Sequence, residues 1–288
     1  MPCYHPMPAF QDRPGSDVRL SPPVGTATLS LPCGTCLGCR SARATAWAAR
    51  CVHEAGESPH NCFVTLTYDD AHVPDELVPR HLALFLKRLR KALAGRVGGI
   101  LSSGSSGLRY FACGEYGEAN GRPHYHALLF NCDFDDTHVV GKGLRESVCL
   151  ARLWPFGKHA LGTCTGASAN YIAQYSLKKQ GRALDCDADG VVRLAPFLRM
   201  STRPAIGARW LFRYLDDLKG GFLLHGSSRA PIPRYYRKQL AAFFPAYAES
   251  LSVQSLRGAS SDRFSPERLL ASEAIHFARK RLTDHRSL

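Results

Sequence analysis

The sequence predicts an α+β fold, in which an antiparallel sheet carries helices on one face. From residue 62 onward, strand and helix patterns follow in the order strand, helix, strand, strand, helix, and a hairpin dipeptide joins the two adjacent strands. The chain has 288 residues, 45% of them apolar, which is enough to build one large domain or a domain with appendages.

The first predicted elements lie before residue 108. Ser41 to Glu54 is rich in alanine and has helical character, whereas Cys62 to Tyr68 is rich in β-branched and aromatic residues, which indicates a strand. Pro79 to Ala94 has leucine and phenylalanine at helical spacing with basic residues between them, which predicts an amphipathic helix. The glycine- and serine-rich stretch from Gly95 to Gly107 predicts a flexible loop.

Two adjacent strands are predicted next, over Arg109 to Tyr116 and Pro123 to Asn131. The dipeptide Asn120-Gly121 between them is typical of a tight hairpin turn, because both residues tolerate positive φ. Further along, Leu144 to Trp154 and Ala167 to Lys179 are predicted to be helical.

The charge of the chain favours a polyanionic partner. Lysine and arginine number 37 against 24 acidic residues, so the formal net charge is +13, and nucleic acid is the first expectation. The apolar runs are too short to cross a bilayer, and Met1 to Phe10 lacks the pattern of a signal peptide, so we expect neither membrane spanning nor secretion. The eleven cysteines are therefore expected to be reduced.

A possible metal site lies on the predicted hairpin. Alternation along a strand puts His124 and His126 on one face and Tyr125 on the other. The hairpin brings Glu115 beside them, and two imidazoles with a carboxylate can hold a divalent ion. The alternative is a half-exposed strand whose polar face happens to contain two histidines.

A second chemical motif lies on the last predicted helix of this series. Tyr171, Tyr175, Lys178 and Lys179 share one helical face, because they are spaced by four, seven and eight residues. A nearby ammonium group favours the phenolate form of tyrosine, which is a nucleophile. The alternative is an amphipathic helix with a tyrosine stripe and a solvated lysine end.

The cysteines Cys33, Cys36 and Cys39 are spaced for metal binding. Three thiolates at this spacing can hold structural zinc, with Cys51, His53 or Cys3 as the fourth ligand. An iron–sulfur site is less favoured, because Arg43 stands where the bacterial ferredoxin pattern has its fourth cysteine. The alternative is three turn cysteines that bind no metal.

The stretch from Arg193 to Lys238 contains ten basic residues and two acidic ones, with aromatic residues interleaved. Arginine beside aromatic rings suits single-stranded DNA, whose phosphates pair with guanidinium groups and whose bases stack on rings. Many of these aromatic residues can equally belong to the core. The candidate DNA-binding residues are Arg122, Arg203, Arg209, Arg234, Arg237 and Lys238.

Together these motifs resemble the rolling-circle replication initiators of the His-hydrophobic-His (HUH) endonuclease superfamily. Such proteins carry an apolar-Thr-Leu-Thr strand, a His-x-His strand and a tyrosine-containing helix in that order. Further segments are similar to the initiators of microviruses, small circular single-stranded DNA phages, and to their gokushovirus-like branch in particular. Tyr125 departs from many superfamily members, which have an aliphatic residue there. The segments that carry the resemblance are Pro32–Cys39, Phe63–Tyr68, Gly114–Gly117, Arg122–Phe130, Tyr171–Lys179, Arg203–Gly207 and Pro233–Lys238.

This resemblance implies the HUH fold, a ferredoxin-like split β-α-β core, and a sequence-specific DNA nickase. A divalent ion, Mg²⁺ or Mn²⁺, would polarise the scissile phosphate. A tyrosine would attack it, leaving a 5′-phosphotyrosine and a free 3′-OH, and the strand would later be rejoined. The implied metal ligands are Glu115, His124 and His126, and the implied catalytic residues are Tyr171, Tyr175, Lys178 and Lys179.

The resemblance also implies partners and an organisation of the chain. The partners are single-stranded and replicative-form viral DNA at the origin, with a host helicase and DNA polymerase, in the cytoplasm of a bacterial host. The sequence has no Gly-x-x-x-x-Gly-Lys-Ser/Thr loop, so we expect no nucleotide cofactor. Residues 1–60 would form a cysteine-cluster segment, residues 61–182 the catalytic core, and residues 183–288 a basic region that contacts DNA and packs on the core.

Two alternatives remain open at this point. One is a non-catalytic protein that binds the origin or single-stranded DNA, in which the histidines and tyrosines only pack or stack. The other is a relaxase or transposase of the same superfamily. The cysteine cluster and the paired tyrosines favour the phage initiator over a single-tyrosine transposase.

Overall fold

The computed structural model describes residues 3–11, 17–20, 27–103, 107–117, 120–141, 143–177, 184–186, 190, 192–225, 228–257 and 265–286. The chain forms two compact units, one of Met1–Ala44 and Ser252–Leu288 and the other of Thr45–Leu251. The expected segment boundaries at residues 60 and 182 stay a prediction. Within the described ranges, no helix combines the length and the apolar character that crossing a membrane requires.

Short strands and helices are interspersed along the chain, with six successive strands from residue 100 to 147 and three successive helices from residue 234 to 286. The strands are β1 (Met7–Gln11), β2 (Ala27–Leu31), β3 (Asn61–Thr67), β4 (Ile100–Leu101), β5 (Arg109–Tyr116), β6 (Pro123–Phe130), β7 (Asp133–Phe134), β8 (Thr137–Gly141), β9 (Leu144–Ser147), β10 (His159–Thr163), β11 (Leu184–Cys186), β12 (Val192–Leu194), β13 (Phe197–Met200), β14 (Phe222–His225) and β15 (Ser228–Pro231). The helices are α1 (Leu37–Ala55), α2 (Pro79–Ala94), α3 (Val148–Leu153), α4 (Gly166–Leu177), α5 (Ala208–Arg213), α6 (Arg234–Phe243), α7 (Pro245–Arg257) and α8 (Pro266–Arg286), with a 3-10 helix at Leu215–Leu218.

Seven strands of the larger unit form one antiparallel sheet, in the order β13-β5-β6-β3-β10-β9-β8. This arrangement confirms the predicted α+β class. Each neighbouring pair in the centre of the sheet is fixed by a register over five or more residues, and β6 lies between β5 and β3. A central strand flanked on both sides is a rigid place from which to project side chains.

Helices cover both faces of this sheet, so the expectation of helices on one face is wrong. On one face, Phe85 and Leu89 of α2 and the indole of Trp154 pack in one core cluster with Tyr125 of β6. On the other face, α4 lies over β5 and β6, and the Trp47 ring of α1 packs against the Phe111 ring in a tilted arrangement with the ring centres 4.9 Å apart. The reason is that β6 buries almost every residue, not alternate ones, so both of its faces need a cover.

The helix predicted over Leu144–Trp154 is wrong in its first four residues. Leu144–Ser147 is strand β9, which pairs with β8 and β10, and α3 begins only at Val148. The side chain of Ser147 accepts a hydrogen bond from the backbone N–H of Leu150 at 3.0 Å, so Ser147 is the N-cap that separates strand from helix.

The predicted loop over Gly95–Gly107 also contains a short strand, since Ile100–Leu101 pairs with β7. The predicted hairpin between β5 and β6 is present, but its turn is longer than two residues. The last ladder contact joins the Gly117 N–H to the Arg122 carbonyl at 2.9 Å. Gly121 has φ +58°, a left-handed conformation that glycine adopts without strain.

Candidate metal centre

The register of the β5–β6 hairpin places Glu115 directly opposite His124. On the other side of β6, Thr67 lies opposite His124 and Thr65 opposite His126. Directly opposed residues of an antiparallel pair share a face, so the carboxylate, both imidazoles and the two threonines lie together. The structure therefore brings together the three residues that the sequence predicted as metal ligands.

The three side chains converge on one point. Nε2 of His124 lies 3.1 Å from Oε1 of Glu115, and Nε2 of His126 lies 2.9 Å from the same oxygen. One ligand atom from each residue lies within 4.8 Å of the others. In octahedral coordination at about 2.1 Å, neighbouring ligand atoms are about 3 Å apart. The separations therefore suit a divalent ion.

Hydrogen bonds hold both imidazoles by their other nitrogen. Nδ1 of His124 lies 3.1 Å from the Arg122 carbonyl oxygen, and Nδ1 of His126 lies 3.0 Å from the Thr65 hydroxyl. A carbonyl oxygen only accepts, so in neutral His124 the hydrogen sits on Nδ1 and Nε2 keeps its lone pair. Metal-binding histidines are commonly fixed in this way.

Two atoms of the cluster lack hydrogen-bond partners among the described residues, Oε2 of Glu115 and Nε2 of His126. Both residues are buried, with only 3% and 6% of their surface exposed. The close approach of Nε2 of His126 to the carboxylate lacks the alignment of a hydrogen bond. Buried polar atoms are normally satisfied, so unpaired atoms at the centre of a ligand set fit a bound cation.

The electrostatics of the cluster keep the carboxylate charged. Burial raises the pKa of Glu115, but its contacts with His124 and His126 outweigh this effect, so the pKa is below its usual value. Burial lowers the pKa of His126, and Glu115 only partly offsets this effect, so its neutral, metal-binding form is favoured. For His124 burial also lowers the pKa, but the Glu115 and Arg122 contacts outweigh it and raise it overall.

Tyr171 on α4 lies against this cluster. Its ring meets the His126 ring edge to face at 5.1 Å and the Phe63 ring at 6.4 Å, and the residue is 39% exposed. Helix α4 begins where Thr165 and Ser168 cap it reciprocally, each backbone N–H donating to the other's hydroxyl. The predicted nucleophile helix thus lies over the predicted metal ligands.

The other predicted catalytic residues lie at or beyond the described part of α4. Tyr175 is on α4, one turn after Tyr171, and its side chain lies outside the described residues. Lys178 and Lys179 lie outside the described residues altogether. The roles of these three residues stay predictions.

Comparison with known proteins places the chain among phage proteins. The family model "Replication-associated protein ORF2/G2P" matches residues 61–180. The replication-associated protein VP4 of Bdellovibrio phage phiMH2K is 35% identical over 247 residues, covering 82% of this chain and 76% of that protein. The replication-associated protein ORF2 of Spiroplasma virus 4 is 34% identical over 228 residues, covering 73% and 68%. The chain belongs to the family of phage replication-associated proteins.

A third family member is more distant. The replication-associated protein ORF4 of Chlamydia phage 1 is 28% identical over 221 residues, and the match spans 73% of this chain but only 53% of that protein. No solved structure matches the chain. The resemblance to a phage rolling-circle initiator that the sequence predicted is confirmed by the family model and these relatives.

A second possible metal site of this family member is formed by cysteines. Cys33, Cys36 and Cys39 cluster with Cys3, and the sulfur atoms of these four residues all lie within 4.8 Å of one another. Of the three candidates for a fourth ligand, the structure supplies Cys3. Cys51 and His53 lie twelve and fourteen residues after Cys39 on the same helix, a distance of about 18 Å or more. The imidazole of His53 instead bonds the Tyr236 hydroxyl at 2.9 Å.

The predicted DNA-binding residues lie in three places. Arg203 and Arg209 line a cavity of about 440 Å³. The exposed residues of α6 include Arg234, Arg237 and Lys238. Arg122 lies beside the cluster of Glu115, His124 and His126. Its guanidinium donates a hydrogen bond to the Tyr68 carbonyl at 3.1 Å and pairs with Asp70. The roles of these six residues in DNA binding stay predictions.

Several aromatic residues of the basic stretch belong to the core. Tyr236 is fully buried, and Trp210 stacks on His53 at 3.4 Å. Phe212 and Tyr214 are more than 40% exposed and can stack on bases. The contact of Thr65 with His126 was not predicted from the sequence. Thr65 and Thr67 of the Thr-Leu-Thr motif alternate with buried apolar residues and so share one face of β3.

Proposed function

We propose that the chain is an origin-specific single-strand DNA endonuclease and strand transferase that initiates rolling-circle replication. The observation that carries this proposal is the cluster of Glu115, His124 and His126 with Tyr171 against it. A carboxylate and two imidazoles on a rigid sheet, with a partly exposed phenol on the helix against them, are the groups that such a reaction needs. The family's printed name, replication-associated protein, supports a role in replication.

Glu115, His124 and His126 would hold a divalent ion, which we propose to be Mg²⁺ or Mn²⁺. The two unpaired buried atoms and the separations near 3 Å fit such an ion. A carboxylate with two imidazoles is a hard-to-borderline ligand set with room left for oxygen ligands. When bound, the ion withdraws charge from a phosphate oxygen and makes phosphorus more electrophilic.

The tyrosine supplies the covalent chemistry. The phenolic oxygen of Tyr171 forms a bond to phosphorus as the bond from phosphorus to the 3′ oxygen breaks. The phenolic proton leaves and a proton is taken up by the 3′ oxygen, which gives a 5′-phosphotyrosine and a free 3′-OH. We assign Tyr175 the same role as Tyr171, and Lys178 and Lys179 the role of cations that favour the phenolate of either tyrosine. Rejoining reverses the same bonds, so no nucleotide cofactor is needed.

The partners follow from this product. A free 3′-OH is the substrate that a DNA polymerase extends, so we propose a host polymerase and a host helicase acting at a viral origin in the bacterial host. A relaxase or transposase would perform the same chemistry on other DNA. The phage relatives favour replication of viral single-stranded and replicative-form DNA.

DNA binding is proposed for the basic residues that the structure leaves accessible. Of the residues that line the 440 Å³ cavity in the described part of the chain, four are arginines and the other seven are uncharged. Arg90, Arg203 and Arg209 are exposed, whereas Arg109 is buried and paired with Glu54. Such a cavity attracts phosphate, and with the exposed basic residues of α6 it would hold the strand outside the nicking centre.

The test is formation of a covalent adduct. The full chain is incubated with end-labelled viral single-stranded DNA and Mn²⁺, and the product is analysed under denaturing conditions. We expect a labelled protein band that needs Mn²⁺ and is lost in His124→Ala and His126→Ala, while binding to the same DNA in chelator changes little. Binding persists because it is spread over many basic side chains.

A matched control separates catalysis from damage to the fold. Tyr214→Phe removes a hydroxyl from another exposed tyrosine and should leave the adduct unchanged. Binding of the viral strand without any adduct at any Mn²⁺ concentration would identify the chain as a binding protein instead. An adduct that survives chelation and both histidine substitutions would contradict the metal assignment.

A further inference from the structure

Four cysteine sulfurs meet in the unit formed by the two ends of the chain. The Sγ atoms of Cys3, Cys33, Cys36 and Cys39 all lie within 4.8 Å of one another. Thirty residues separate Cys3 from Cys33, so the fold and not local spacing brings the fourth sulfur to the other three. All four are free thiols.

Backbone N–H groups point at these sulfurs. The N–H of Cys33 donates to Cys3 Sγ at 3.2 Å, that of Cys36 to Cys33 Sγ at 3.3 Å, and that of Cys39 to Cys36 Sγ at 3.4 Å. The N–H of Tyr4 donates to Cys36 Sγ at 3.4 Å. Donors aimed at sulfur stabilise thiolates, and hydrogen bonds of this kind support metal-bound ligands.

One glycine makes this turn possible. Gly34 has φ +79°, a conformation that other residues rarely adopt, and it lies between Cys33 and the start of α1. The guanidinium of Arg43, one and a half turns into the helix, donates to the Gly34 carbonyl at 2.7 Å. The Gly34 conformation and the Arg43 hydrogen bond together hold this turn. The sulfur of Cys33, before the turn, and those of Cys36 and Cys39, after it, therefore face the same point.

We propose that these four thiolates bind one structural zinc ion, with Cys3 as the fourth ligand. In a tetrahedral site with Zn–S bonds of about 2.3 Å, the sulfurs are about 3.8 Å apart. The sulfurs of Cys3 and Cys36 are 3.9 Å apart. An iron–sulfur cluster distributes its thiolates over separate irons and needs a wider cage. A disulfide would need sulfurs about 2.0 Å apart.

The ion fastens the first residues of the chain to the start of α1. Tyr4, next to Cys3, is buried with Cys36 and Leu37 in a core cluster that has few members. The Tyr4 hydroxyl bonds Nδ1 of His276 at 2.9 Å, and His5 pairs with Glu273 at 2.8 Å, so the same segment also holds α8. A small core of this kind needs a metal or a comparable staple to be stable.

The site is structural, because four protein ligands leave no open position for substrate. It is built only from residues of the unit that contains the chain ends. It therefore goes beyond the proposed nicking activity and stands or fails separately from it. The zinc content of the purified protein, and not its catalytic activity, tests this proposal.

The test is elemental analysis of the full chain, purified in reductant without a histidine tag. His126→Ala is used as the background, so that zinc held by the nicking centre is not counted. We expect about one zinc per chain and no iron. Cys3→Ser and Cys36→Ser should lose the zinc, whereas Cys164→Ser, which changes a partly buried thiol outside the cluster, should keep it. Zinc far below one per chain, or full zinc in Cys3→Ser, overturns the proposal.

A second measurement covers the case in which the serine variants fail to fold. The metal of the unsubstituted cysteine cluster is exchanged for Co²⁺ in the same background. We expect the thiolate-to-cobalt charge-transfer band and the intense visible bands of a tetrahedral sulfur site. Bound Co²⁺ with the weak visible bands of an octahedral oxygen site, or no bound Co²⁺, contradicts the assignment.

Discussion

Nδ1 of His126 lies 3.0 Å from the hydroxyl of Thr65, directly across the β3–β6 pair. This contact turns the other ring nitrogen, Nε2, toward Glu115. Phe63, two residues before Thr65, stacks on the same imidazole at 5.4 Å. Strand β3 therefore fixes the orientation of a candidate metal ligand, although it contributes none of the three candidate ligands itself.

We expect Thr65→Val to weaken metal binding without removing it. Valine keeps the shape of the side chain and removes only the hydroxyl that holds the ring. Losing such a support typically costs about 10–100-fold in metal affinity or activity. Adduct formation measured against Mn²⁺ concentration should need that much more Mn²⁺, with the rate largely restored at saturation.

Thr137→Val, in the edge strand β8, is the matched control and should leave the Mn²⁺ dependence unchanged. A Thr65→Val protein with the same Mn²⁺ dependence as the unsubstituted chain would show that the hydroxyl does not orient His126 in the active protein.

The position of the candidate metal site could be predicted from the sequence because its ligands lie on one hairpin. Two residues per repeat along a strand put His124 and His126 on one face, and a turn near Gly121 returns Glu115 to the same row. The turn is longer than the two residues predicted, which shifts the register by two residues. Such a shift leaves Glu115 on the same face as His124 and His126.

Other features depended on distant parts of the chain and could not be predicted. The sequence named Cys3 only as one of three candidates for the fourth cysteine-cluster ligand, because no local spacing connects it to Cys33 and packing across thirty residues brings it there. Strand β13 pairs with β5 over a separation of more than eighty residues. The sequence pattern of Leu144–Ser147 suits a helix as well as a strand, and its pairing with β8 and β10 makes it a strand.

A buried ion pair supplies a stability prediction. Glu54 is 3% exposed, accepts hydrogen bonds from Arg109 and from the Gly207 N–H at 2.6 Å, and Arg109 also donates to the Pro204 carbonyl. We expect Glu54→Ala to lower the free energy of unfolding by about 3–5 kcal/mol, because it leaves a buried guanidinium without its counter-charge. Urea unfolding followed by circular dichroism measures this change.

The control for that experiment is the exposed pair of Asp216 and Lys219, 2.9 Å apart. Asp216→Asn should change the urea midpoint little, because solvent screens such pairs. Equal midpoints for Glu54→Ala and the unsubstituted chain would mean that water or another group replaces the carboxylate.

The arginine-lined cavity supplies a prediction about DNA binding. If Arg203 and Arg209 each contact a phosphate, replacing one by alanine should weaken binding and make the slope of log affinity against log salt shallower by about 1. The loss should be similar for unrelated sequences, because phosphate contacts carry no base information. Fluorescence anisotropy with a labelled single strand in chelator measures both quantities without cleavage.

Arg152→Ala is the matched control for the cavity, since Arg152 is an exposed arginine of α3 that does not line the cavity. Its salt slope should equal that of the unsubstituted chain. Identical slopes for Arg203→Ala, Arg209→Ala and Arg152→Ala would mean that DNA does not enter the cavity.

The pair of tyrosines on α4 poses a question of turnover. Rolling-circle synthesis regenerates the origin after one circuit, while the first tyrosine still holds the 5′ end. A second nucleophile can cut the new junction, and the released 3′-OH can then attack the first phosphotyrosine and close a circle. Tyr171 and Tyr175 are one helical turn apart, about 6 Å along the axis, so both can serve one metal centre.

We therefore expect Tyr171→Phe and Tyr175→Phe each to form an adduct with a short origin oligonucleotide but to release no closed circles over repeated turnover. The double variant should form no adduct. Lys178 follows Tyr175 by three residues, which is the Tyr-x-x-Lys spacing of single-tyrosine superfamily members. Tyr175 should therefore form the adduct more efficiently than Tyr171 when it is the only tyrosine left. Tyr171 has Gln174 at that spacing and depends on the lysines seven and eight residues away.

Circle release is measured with a circular single-stranded template and polymerase, with Tyr214→Phe as control. Normal multi-cycle release by Tyr171→Phe would make Tyr171 a packing partner of His126 and exclude alternation.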